Sequence, residues 1–443
     1  MVRKLAQFLI TLFLISFCFF YIYHIKLKAF DTEKVMEHIE FLSSDNLEGR
    51  LTGTFENKIA GDYIQNTFIK YGLRPFSESY YQSFRVKYPA LTSETPVLEA
   101  VGPQGISKVY EYGVDYKEDL LNFDTVEIYF DKTNASYSDK YIQIKKDNHI
   151  ILLVATAPEE FSFRSSYISD APYSLYISIS DSCFEELLLE LREGYTIHLK
   201  VPYEVKETNV DNLHSLLPGM NKDKPPLIIS SHFDHLGSDY SGTIYPGALD
   251  NASGTAFVLE LARYFKNLGA SDGPMIFAAF NAEEFGCLGS KAFAEQYYDQ
   301  IKKATVYNFD MIGSDKELDL TIMGGKNDNP STEQVASIIS NFDRRNIDYK
   351  LSFEDSSDHE YFRKVGISAV TLIHEDMDRI HTPEDTVSYI SEESIKEAFK
   401  TVSEELIEKN YRENLLIFYN VPGLIFSIFA AIAISLIYIN RRS

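Results

Sequence analysis

The segment Leu227-Ile228-Ile229-Ser230-Ser231-His232-Phe233-Asp234-His235 joins an apolar run to three side chains that can bind a metal ion or carry a proton. The apolar run predicts a buried strand, because short apolar runs are typical of strands covered on both faces. Open α/β sheets assemble their chemistry in the loops that follow the strands. The segment therefore predicts a functional site at the end of this strand, completed by residues from elsewhere in the chain.

From Pro225 onward, apolar runs alternate with stretches of helical periodicity. Strands are predicted at 227–231, 275–280, 304–309, 318–323 and 367–373, and helices at 254–267, 286–298, 332–344, 359–365 and 392–408. Two further helices, at 32–42 and 55–71, are predicted near the start of the chain. This alternation predicts an α/β fold with a mostly parallel mixed sheet flanked by helices.

Residues 76–206 have a different sequence pattern, in which short alternating apolar runs are separated by Pro, Gly, Ser and Asp. Such a pattern indicates a β-rich inserted domain. The main domain would then consist of residues 29–75 and 207–412. The sequence of the insertion contains no visible cluster of metal ligands or nucleophiles.

Both ends of the chain are predicted to cross a membrane as helices. The segments 5–23 and 415–439 contain no charged residue and can span a hydrocarbon core of roughly 30 Å. We expect residues 1–28 to form an uncleaved N-terminal anchor and residues 413–443 to form a C-terminal transmembrane helix. Pro422-Gly423 should kink or shorten the second span.

Basic residues flank the two predicted spans. Arg3-Lys4 precede the first and Arg441-Arg442 follow the second. By the positive-inside rule, both termini are predicted to be cytoplasmic. The protein would be an integral membrane protein, in contact with lipid through two helices, whose main domain is extracytoplasmic or lumenal.

The composition limits the partners of this 443-residue chain. Its net charge of −23 argues against nucleic acid, because no basic excess is available to neutralise phosphates. Only Cys183 and Cys287 could form a disulfide outside the apolar segment that contains Cys18, so no disulfide framework holds the fold. The oligomeric state does not follow from these features.

Four further loops carry polar groups beside predicted strands or helices. They are 247–254, 281–286, 308–313 and 381–386, and they contain Asp250, Glu283 and Glu284, Asp310, and His381. Singly, each has an ordinary explanation, such as a helix cap or a solvated acidic pair. Four of the five motifs lie at strand ends or in the loops that follow strands, so we expect the set to meet at one edge of the sheet.

Histidine and carboxylate groups without thiolates suit a hydrolytic zinc site, with manganese or cobalt as alternatives. One bridging carboxylate, with a histidine and an acid on each side, would hold two ions about 3.5–4 Å apart around a shared water. Two divalent ions and three carboxylates leave one positive charge, which a hydroxide would neutralise. A further carboxylate must then accept and deliver protons.

These motifs resemble the aminopeptidase-type family of co-catalytic zinc metallopeptidases, which includes bacterial leucyl aminopeptidases and glutamate carboxypeptidases. The resemblance covers residues 32–71 and 209–409. It implies that His232 and Asp310 hold one zinc, that Glu284 and His381 hold the other, that Asp250 bridges them, that Glu283 is the general base, and that Asp234 orients a ligand histidine. By this reading, His235 is a neighbour of the site and not a ligand.

The resemblance implies a zinc exopeptidase fold and a zinc-dependent exopeptidase, most simply an aminopeptidase that attacks peptide bonds with a metal-bridged hydroxide. The two predicted spans would make it membrane-anchored. A carboxypeptidase or dipeptidase of the same family and a non-catalytic, receptor-like homologue are the alternatives. Glu48-Gly49-Arg50 and Ser357-Asp358-His359 also resemble family segments, without an assigned ligand role. The insertion lies where relatives carry a protease-associated domain.

One position departs from the family pattern. Many relatives have a tyrosine immediately before the last ligand histidine, where its hydroxyl can polarise the scissile carbonyl, and this chain has Ile380. Losing one such donor costs about 10²-fold or more in rate. Arg379 is a candidate replacement; otherwise we expect a slow enzyme or an unusual substrate.

Overall fold

A computed structural model describes residues 2–440 of the protein. Arg441-Arg442, which contributed to the predicted topology, lie outside the described residues. The N-terminal part forms helices α1 (Val2–Leu27), α2 (Thr32–Leu42) and α3 (Phe55–Lys70), with a 3₁₀ turn at Asp45–Arg50. The helices predicted at 32–42 and 55–71 are thus confirmed. Thr54 caps α3 by accepting a hydrogen bond from the backbone N–H of Asn57.

The middle of the chain is rich in short strands. Its elements are β1 (Arg74–Pro75), β2 (Tyr81–Leu91), β3 (Val97–Val101), β4 (Ser107–Val109), β5 (Tyr116–Phe123), β6 (Glu127–Phe130), β7 (Ala135–Tyr137), β8 (Tyr141–Lys146), β9 (His149–Ala155), β10 (Leu175–Ile179), α4 (Asp181–Glu193), β11 (Thr196–Lys200) and β12 (Tyr203–Leu217). Two small sheets form here, in the orders β5-β10-β9-β8-β7 and β4-β3-β11-β6. The long strands β2 and β12 pair antiparallel and connect these sheets to the main one.

The remaining elements alternate between strand and helix. They are β13 (Leu227–His232), α5 (Gly254–Leu268), β14 (Met275–Phe280), α6 (Leu288–Gln296), α7 (Tyr298–Ile301), β15 (Thr305–Asp310), β16 (Leu320–Gly324), α8 (Glu333–Arg345), β17 (Tyr349–Phe353), α9 (His359–Lys364), β18 (Ser368–Ile373), α10 (Glu392–Asn410), α11 (Leu415–Phe418) and α12 (Asn420–Asn440). All strands and helices predicted after Pro225 are confirmed, with small shifts at their ends. The sequence missed β17, an edge strand without a clear apolar alternation.

Nine strands form the main sheet, in the order β1-β12-β14-β13-β15-β18-β16-β17, with β2 also paired to β12. The central strands β14, β13, β15 and β18 are parallel, whereas β12 and β16 join them antiparallel. The sheet is therefore more evenly mixed than the mostly parallel sheet that the sequence predicted. One reason is that β12 arrives as half of a long antiparallel ribbon with β2, and not after a crossover helix.

Burial on both faces explains why β13 begins with the apolar run Leu227-Ile228-Ile229. Leu227 and Ile229 face one core, which they share with α2, α3, α5 and α10. Ile228 faces a second core, shared with α6 and α9. Because helices cover both faces of the sheet, the loops at the strand ends are left as the place where a site can open.

Two terminal helices, α1 and α12, are long and apolar enough to cross a membrane. They pack side by side, with Ser16 Oγ 3.0 Å from Ser427 Oγ and His24 Nδ1 2.9 Å from Asn420 Oδ1. These contacts pair later residues of α1 with earlier residues of α12, so the helices are antiparallel. Their outer ends therefore lie on the same side, as the predicted topology requires.

The second apolar segment is not one continuous helix. It is divided at Tyr419, between α11 and α12. Pro422 consequently falls in the first turn of α12, where its missing N–H removes no intrahelical hydrogen bond. The sequence predicted that Pro422-Gly423 would kink or shorten the second span. The structure shows a shortening, because the long helix α12 begins only at Asn420.

The packing of α1 on α12 can be tested by a cysteine cross-link. In a Cys18→Ser background, we expect the pair Ser16→Cys and Ser427→Cys to form a disulfide on oxidation, because the two hydroxyls are 3.0 Å apart. Loss of maleimide-reactive thiols, read by mass spectrometry, would measure it. In the control, Ser16→Cys is combined with Phe429→Cys, whose side chain is 67% exposed. Equal cross-linking of both pairs would contradict this packing.

Candidate metal centre

The predicted site residues converge at one edge of the main sheet. His232 is the last residue of β13 and Asp310 the last of β15, while Glu284 lies in the loop after β14. His381 lies beyond the end of β18, and Asp250 lies in an irregular turn that begins α5. The central strands are parallel, so their carboxyl ends bring these groups together.

The first group of ligand atoms consists of His232, Asp250 and Asp310. His232 Nε2 lies 3.4 Å from Asp250 Oδ1 and 3.5 Å from Asp310 Oδ1. All three side chains are buried. Neither His232 Nε2 nor Asp310 Oδ1 has a hydrogen-bond partner. Buried polar atoms without a partner are rare, and a cation is the partner that suits this pair.

The second group uses the other oxygen of Asp250. His381 Nε2 lies 3.2 Å from Asp250 Oδ2 and 3.4 Å from Glu284 Oε2. Asp250 therefore belongs to both groups, with one carboxylate oxygen directed to each. This is the arrangement that a bridging carboxylate requires.

The spacing of these atoms fits zinc. Bonds of about 2.0–2.2 Å from zinc to nitrogen or oxygen place the corners of a tetrahedron about 3.3–3.6 Å apart. The four distances above run from 3.2 to 3.5 Å. Imidazole and carboxylate are also the ligands that hydrolytic zinc uses. The residues present therefore fit a zinc site on both geometry and donor type.

His235 is closer to the site than the sequence suggested. Its Nδ1 lies 2.9 Å from Glu284 Oε1 and 3.8 Å from Asp250 Oδ2, so these three residues also form a group able to hold an ion. His381 approaches Asp250 more closely, at 3.2 Å. His235 is buried, whereas the side chain of His381 remains 15% exposed at the mouth of the site.

Histidines and carboxylates in the site shift one another's pKa values. The pKa values of His232 and His381 rise, and the pKa of Asp250 falls. Burial would lower the pKa of His381, but the carboxylates of Glu284 and Asp250 raise it to about 10. Burial likewise opposes the charged form of His232, yet Glu283 and Asp310 raise its pKa well above the usual range. Burial would raise the pKa of Asp250, but contacts with His232 and His381 hold it well below the usual range. The carboxylates thus demand positive charge, which histidine protons or divalent cations can supply.

Glu283 and Asp234 occupy different positions beside the ligands. Glu283 Oε2 lies 4.0 Å from His232 Nε2, with the Glu283 side chain 14% exposed. Burial raises the pKa of Glu283 well above its usual range. Asp234 lies 3.7 Å from His232 Nδ1, which is longer than a hydrogen bond. Its oxygens instead accept the backbone N–H groups of Glu283 and Glu284, at 3.1 and 3.2 Å, and thereby hold the loop that carries both glutamates.

Two residues support the ligands without having been predicted to do so. Ser357 Oγ donates a 2.8 Å hydrogen bond to Asp310 Oδ2. Asp385 accepts the backbone N–H groups of Leu249 and Asp250, at 2.8 and 3.0 Å, and so fixes the turn that carries the shared carboxylate. Both residues belong to motifs noted in the sequence, but spacing alone could not show which atom each one contacts.

Arg50 links the loop after β13 to the loop before α5 through hydrogen bonds to their carbonyl groups. It is fully buried and donates to the carbonyl oxygens of Phe233, Leu42 and Gly247, at 2.7, 2.9 and 2.6 Å, and also to that of Pro246. One guanidinium therefore links the loop after His232 to the loop before Asp250. This gives the predicted Glu48-Gly49-Arg50 motif a physical role.

The residues around the missing tyrosine have other partners. Arg379, the candidate replacement, forms an ion pair with Asp315, and its guanidinium lies 3.7 Å from the ring centroid of Tyr389. Ile380 packs against a small apolar cluster that includes Leu249 and Met311. The partners of Arg379 are thus not candidate ligands, and its role as a donor to the substrate stays a prediction.

We expect Arg50→Lys to lower the free energy of unfolding by about 3 kcal/mol, because a lysine leaves several buried carbonyls unpaired at ~1–3 kcal/mol each. Urea denaturation of the protein in detergent would measure this loss. Arg85→Lys is the matched control, since Arg85 is 73% exposed in its ion pair with Glu207. Its effect should stay within about 0.5 kcal/mol. Equal effects of the two substitutions would contradict the role of Arg50.

Part of this chain is similar to known peptidases. Residues 212–406 match the model of peptidase family M28. Aminopeptidase YwaD of Bacillus subtilis is 31% identical over 216 residues, which are 46% of this chain and 45% of that protein. A vacuolar membrane protease of Candida glabrata is 25% identical over 222 residues, 47% of this chain and 22% of that protein. The chain thus spans about half or less of the length of these curated relatives.

Solved structures show the same fold. An aminopeptidase from Aneurinibacillus sp. strain AM-1 superimposes with a TM-score of 0.61 at 24% identity, over 88% of this chain and 96% of that one. The zinc aminopeptidase BSAP from Bacillus subtilis gives 0.59 at 20% identity, over 86% and 96% of the two chains. The predicted mixed α/β fold is therefore shared with these two aminopeptidase structures. Over residues 212–406 the chain is similar to the zinc metallopeptidases of peptidase family M28.

Proposed function

We propose that the protein is a membrane-anchored aminopeptidase that binds two zinc ions. The observation that carries this proposal is the carboxylate of Asp250, which directs one oxygen to His232 and the other to His381, at 3.4 and 3.2 Å. His232 and Asp310 would hold one ion, Glu284 and His381 the other, and Asp250 both. Manganese or cobalt could occupy the same ligands.

When bound, the ions would polarise the scissile carbonyl and lower the pKa of a water molecule between them. Glu283 is the proposed proton carrier. Its side chain lies beside His232 and remains 14% exposed, and burial raises its pKa well above the usual range. A carboxylate of this kind can accept the proton of the attacking water and deliver it to the leaving amine. Asp234 would keep Glu283 in place through the backbone of its loop.

We place the site in a main domain of residues 29–75 and 207–412, which carries a β-rich insertion at 76–206. Residues 1–28 and 413–443 are proposed as the two membrane spans. The antiparallel packing of α1 and α12 supports a common side for both termini, which the positive-inside rule predicts to be the cytoplasm. The main domain would then act outside the cytoplasm or in a lumen.

We expect Glu283→Gln to lower kcat by about 10²–10⁴-fold, because glutamine keeps the shape of glutamate but cannot accept a proton. Zinc content, measured by elemental analysis, should stay at the wild-type value, since Glu283 is not a proposed ligand. Cleavage of aminoacyl and dipeptide substrates by zinc-loaded protein is the assay. A zinc-loaded wild type that cleaves none of them would contradict the proposed activity.

The choice of His381 over His235 as a ligand can be tested by matched substitutions. We expect His381→Gln to bind one zinc where the wild type binds two, because glutamine lacks the imidazole nitrogen 3.4 Å from Glu284 Oε2. His235→Gln should retain two, with Glu284 losing only a hydrogen bond. Zinc stoichiometry by elemental analysis decides between them, and the opposite pattern would assign the ligand to His235.

The polarity of cleavage separates an aminopeptidase from a carboxypeptidase or dipeptidase. A peptide library in three forms, free, N-acetylated and C-amidated, would be digested by wild type and by Glu283→Gln and read by mass spectrometry. We expect N-acetylation to block cleavage and C-amidation to leave it intact. Resistance of the amidated form alone would indicate a carboxypeptidase.

A further inference from the structure

A loop of the insertion enters the metal centre. It lies within residues 156–174, which connect β9 to β10, two strands that are parallel neighbours in the small sheet. A parallel pair requires a long crossover connection, which is usually a helix. Here the crossover is mostly irregular, and its middle part, Phe163 to Tyr167, reaches Glu284 and His381 in the main domain. We call this part the crossover loop.

The crossover loop contacts both Glu284 and His381 through backbone and side-chain atoms. Ser166 Oγ donates a 2.7 Å hydrogen bond to Glu284 Oε2, and the N–H of Tyr167 donates to the carbonyl oxygen of Glu284 at 2.8 Å. Arg164 forms two bonds with His381: its N–H donates to the His381 carbonyl, and its own carbonyl lies 3.0 Å from His381 Nδ1. The ring of Phe163 stacks on that of His381, with centroids 5.6 Å apart.

These contacts determine how the two ligands present their atoms. The Arg164 carbonyl can only accept a hydrogen bond, so Nδ1 of His381 must carry the proton, which leaves Nε2 of the neutral ring with a free lone pair. Glu284 has one oxygen bonded to His235 and the other bonded to Ser166, so its carboxylate is held in one orientation. Hydrogen bonds that hold a ligand side chain in one orientation make it bind the metal more tightly.

The crossover loop is itself firmly attached. Arg164 is fully buried, with Nη1 donating to the carbonyl of Leu236 at 3.1 Å and Nη2 lying 3.6 Å from Glu118 Oε1. Ser165 donates twice to Asp119 on β5, through its N–H and its hydroxyl, at 2.6 Å each. The apolar core of the insertion also continues into the loops around the site, because Leu236, Tyr245, Ala282 and Phe285 belong to it.

The other group of ligands has no such contact with the insertion among the described residues. Asp310 receives its hydrogen bond from Ser357, and Asp250 is fixed by Asp385, both of which belong to the main domain. The two halves of the site therefore differ in origin. One is built by the main domain alone, and the other is completed by the crossover loop.

We propose that Ser166 and Arg164 are positioning residues of the metal centre, through which the insertion sets the affinity for the ion held by Glu284 and His381. This inference rests on the proposed function, since it assumes that this pair binds zinc. The affinity of the ion held by His232 and Asp310 should not depend on the crossover loop.

The test is a competitive zinc titration of the full-length protein in detergent against a chromophoric chelator. For Ser166→Ala we expect one of the two zinc ions to bind about 10–100-fold more weakly, with the other unchanged. Ser166→Thr retains a hydroxyl and should restore the affinity. Ser169→Ala, an exposed position further along the same connection, should behave as wild type.

The thermal midpoint of the zinc-free protein, measured in parallel, separates positioning from folding. The proposal is supported if Ser166→Ala keeps the wild-type thermal midpoint and binds only one of its two zinc ions more weakly. Wild-type affinity for both ions in Ser166→Ala would overturn it, as would equal weakening of both ions together with a lowered midpoint. If the wild type binds no zinc, the proposed function fails first, and this inference fails with it.

Discussion

The structure depends on a buried carboxylate, that of Asp250, which must be balanced by positive charge on two sides. Its oxygens lie near His232 and His381, and its backbone is tied to Asp385. A buried carboxylate is costly unless it is paired or binds a metal. Arg50 lies close enough for its charge to interact with this carboxylate, while its hydrogen bonds go to nearby carbonyl groups. The candidate site is thus assembled around one negative group that requires positive charge beside it.

The metal centre also explains how the two parts of the chain fit together. The main sheet supplies the candidate ligands from the ends of its parallel strands, and the proposed insertion covers one side of them with residues of the crossover loop such as Ser166. The cores of the two parts are continuous at Leu236 and Phe285. Separation of the insertion from the main domain would therefore expose apolar surface and leave Glu284 and His381 without their supporting bonds. In the proposed metal centre, this coupling would give the insertion a part in the chemistry as well as in the architecture.

The sequence by itself predicted the strands and helices after Pro225 and most residues of the candidate site. Strand and helix positions after Pro225 follow from apolar periodicity, since a strand such as β13 is buried on both faces and a helix such as α8 on one. Carboxyl ends of neighbouring parallel strands meet at one edge, so His232, Glu284 and Asp310 could be expected to converge before any coordinates were known. Local pattern is sufficient for such features because each depends on residues close together in the chain.

Only the tertiary structure decided which atoms face one another. Spacing in the chain could not show that Asp250 divides its oxygens between two histidines, that His235 bonds to Glu284, or that Arg379 pairs with Asp315. Nor could it reveal Ser166, because a serine in an irregular loop carries no periodic signal. Its contact with Glu284 joins positions 118 residues apart. Such contacts depend on how the insertion packs on the main domain, which is a property of the whole fold and not of any local stretch of sequence.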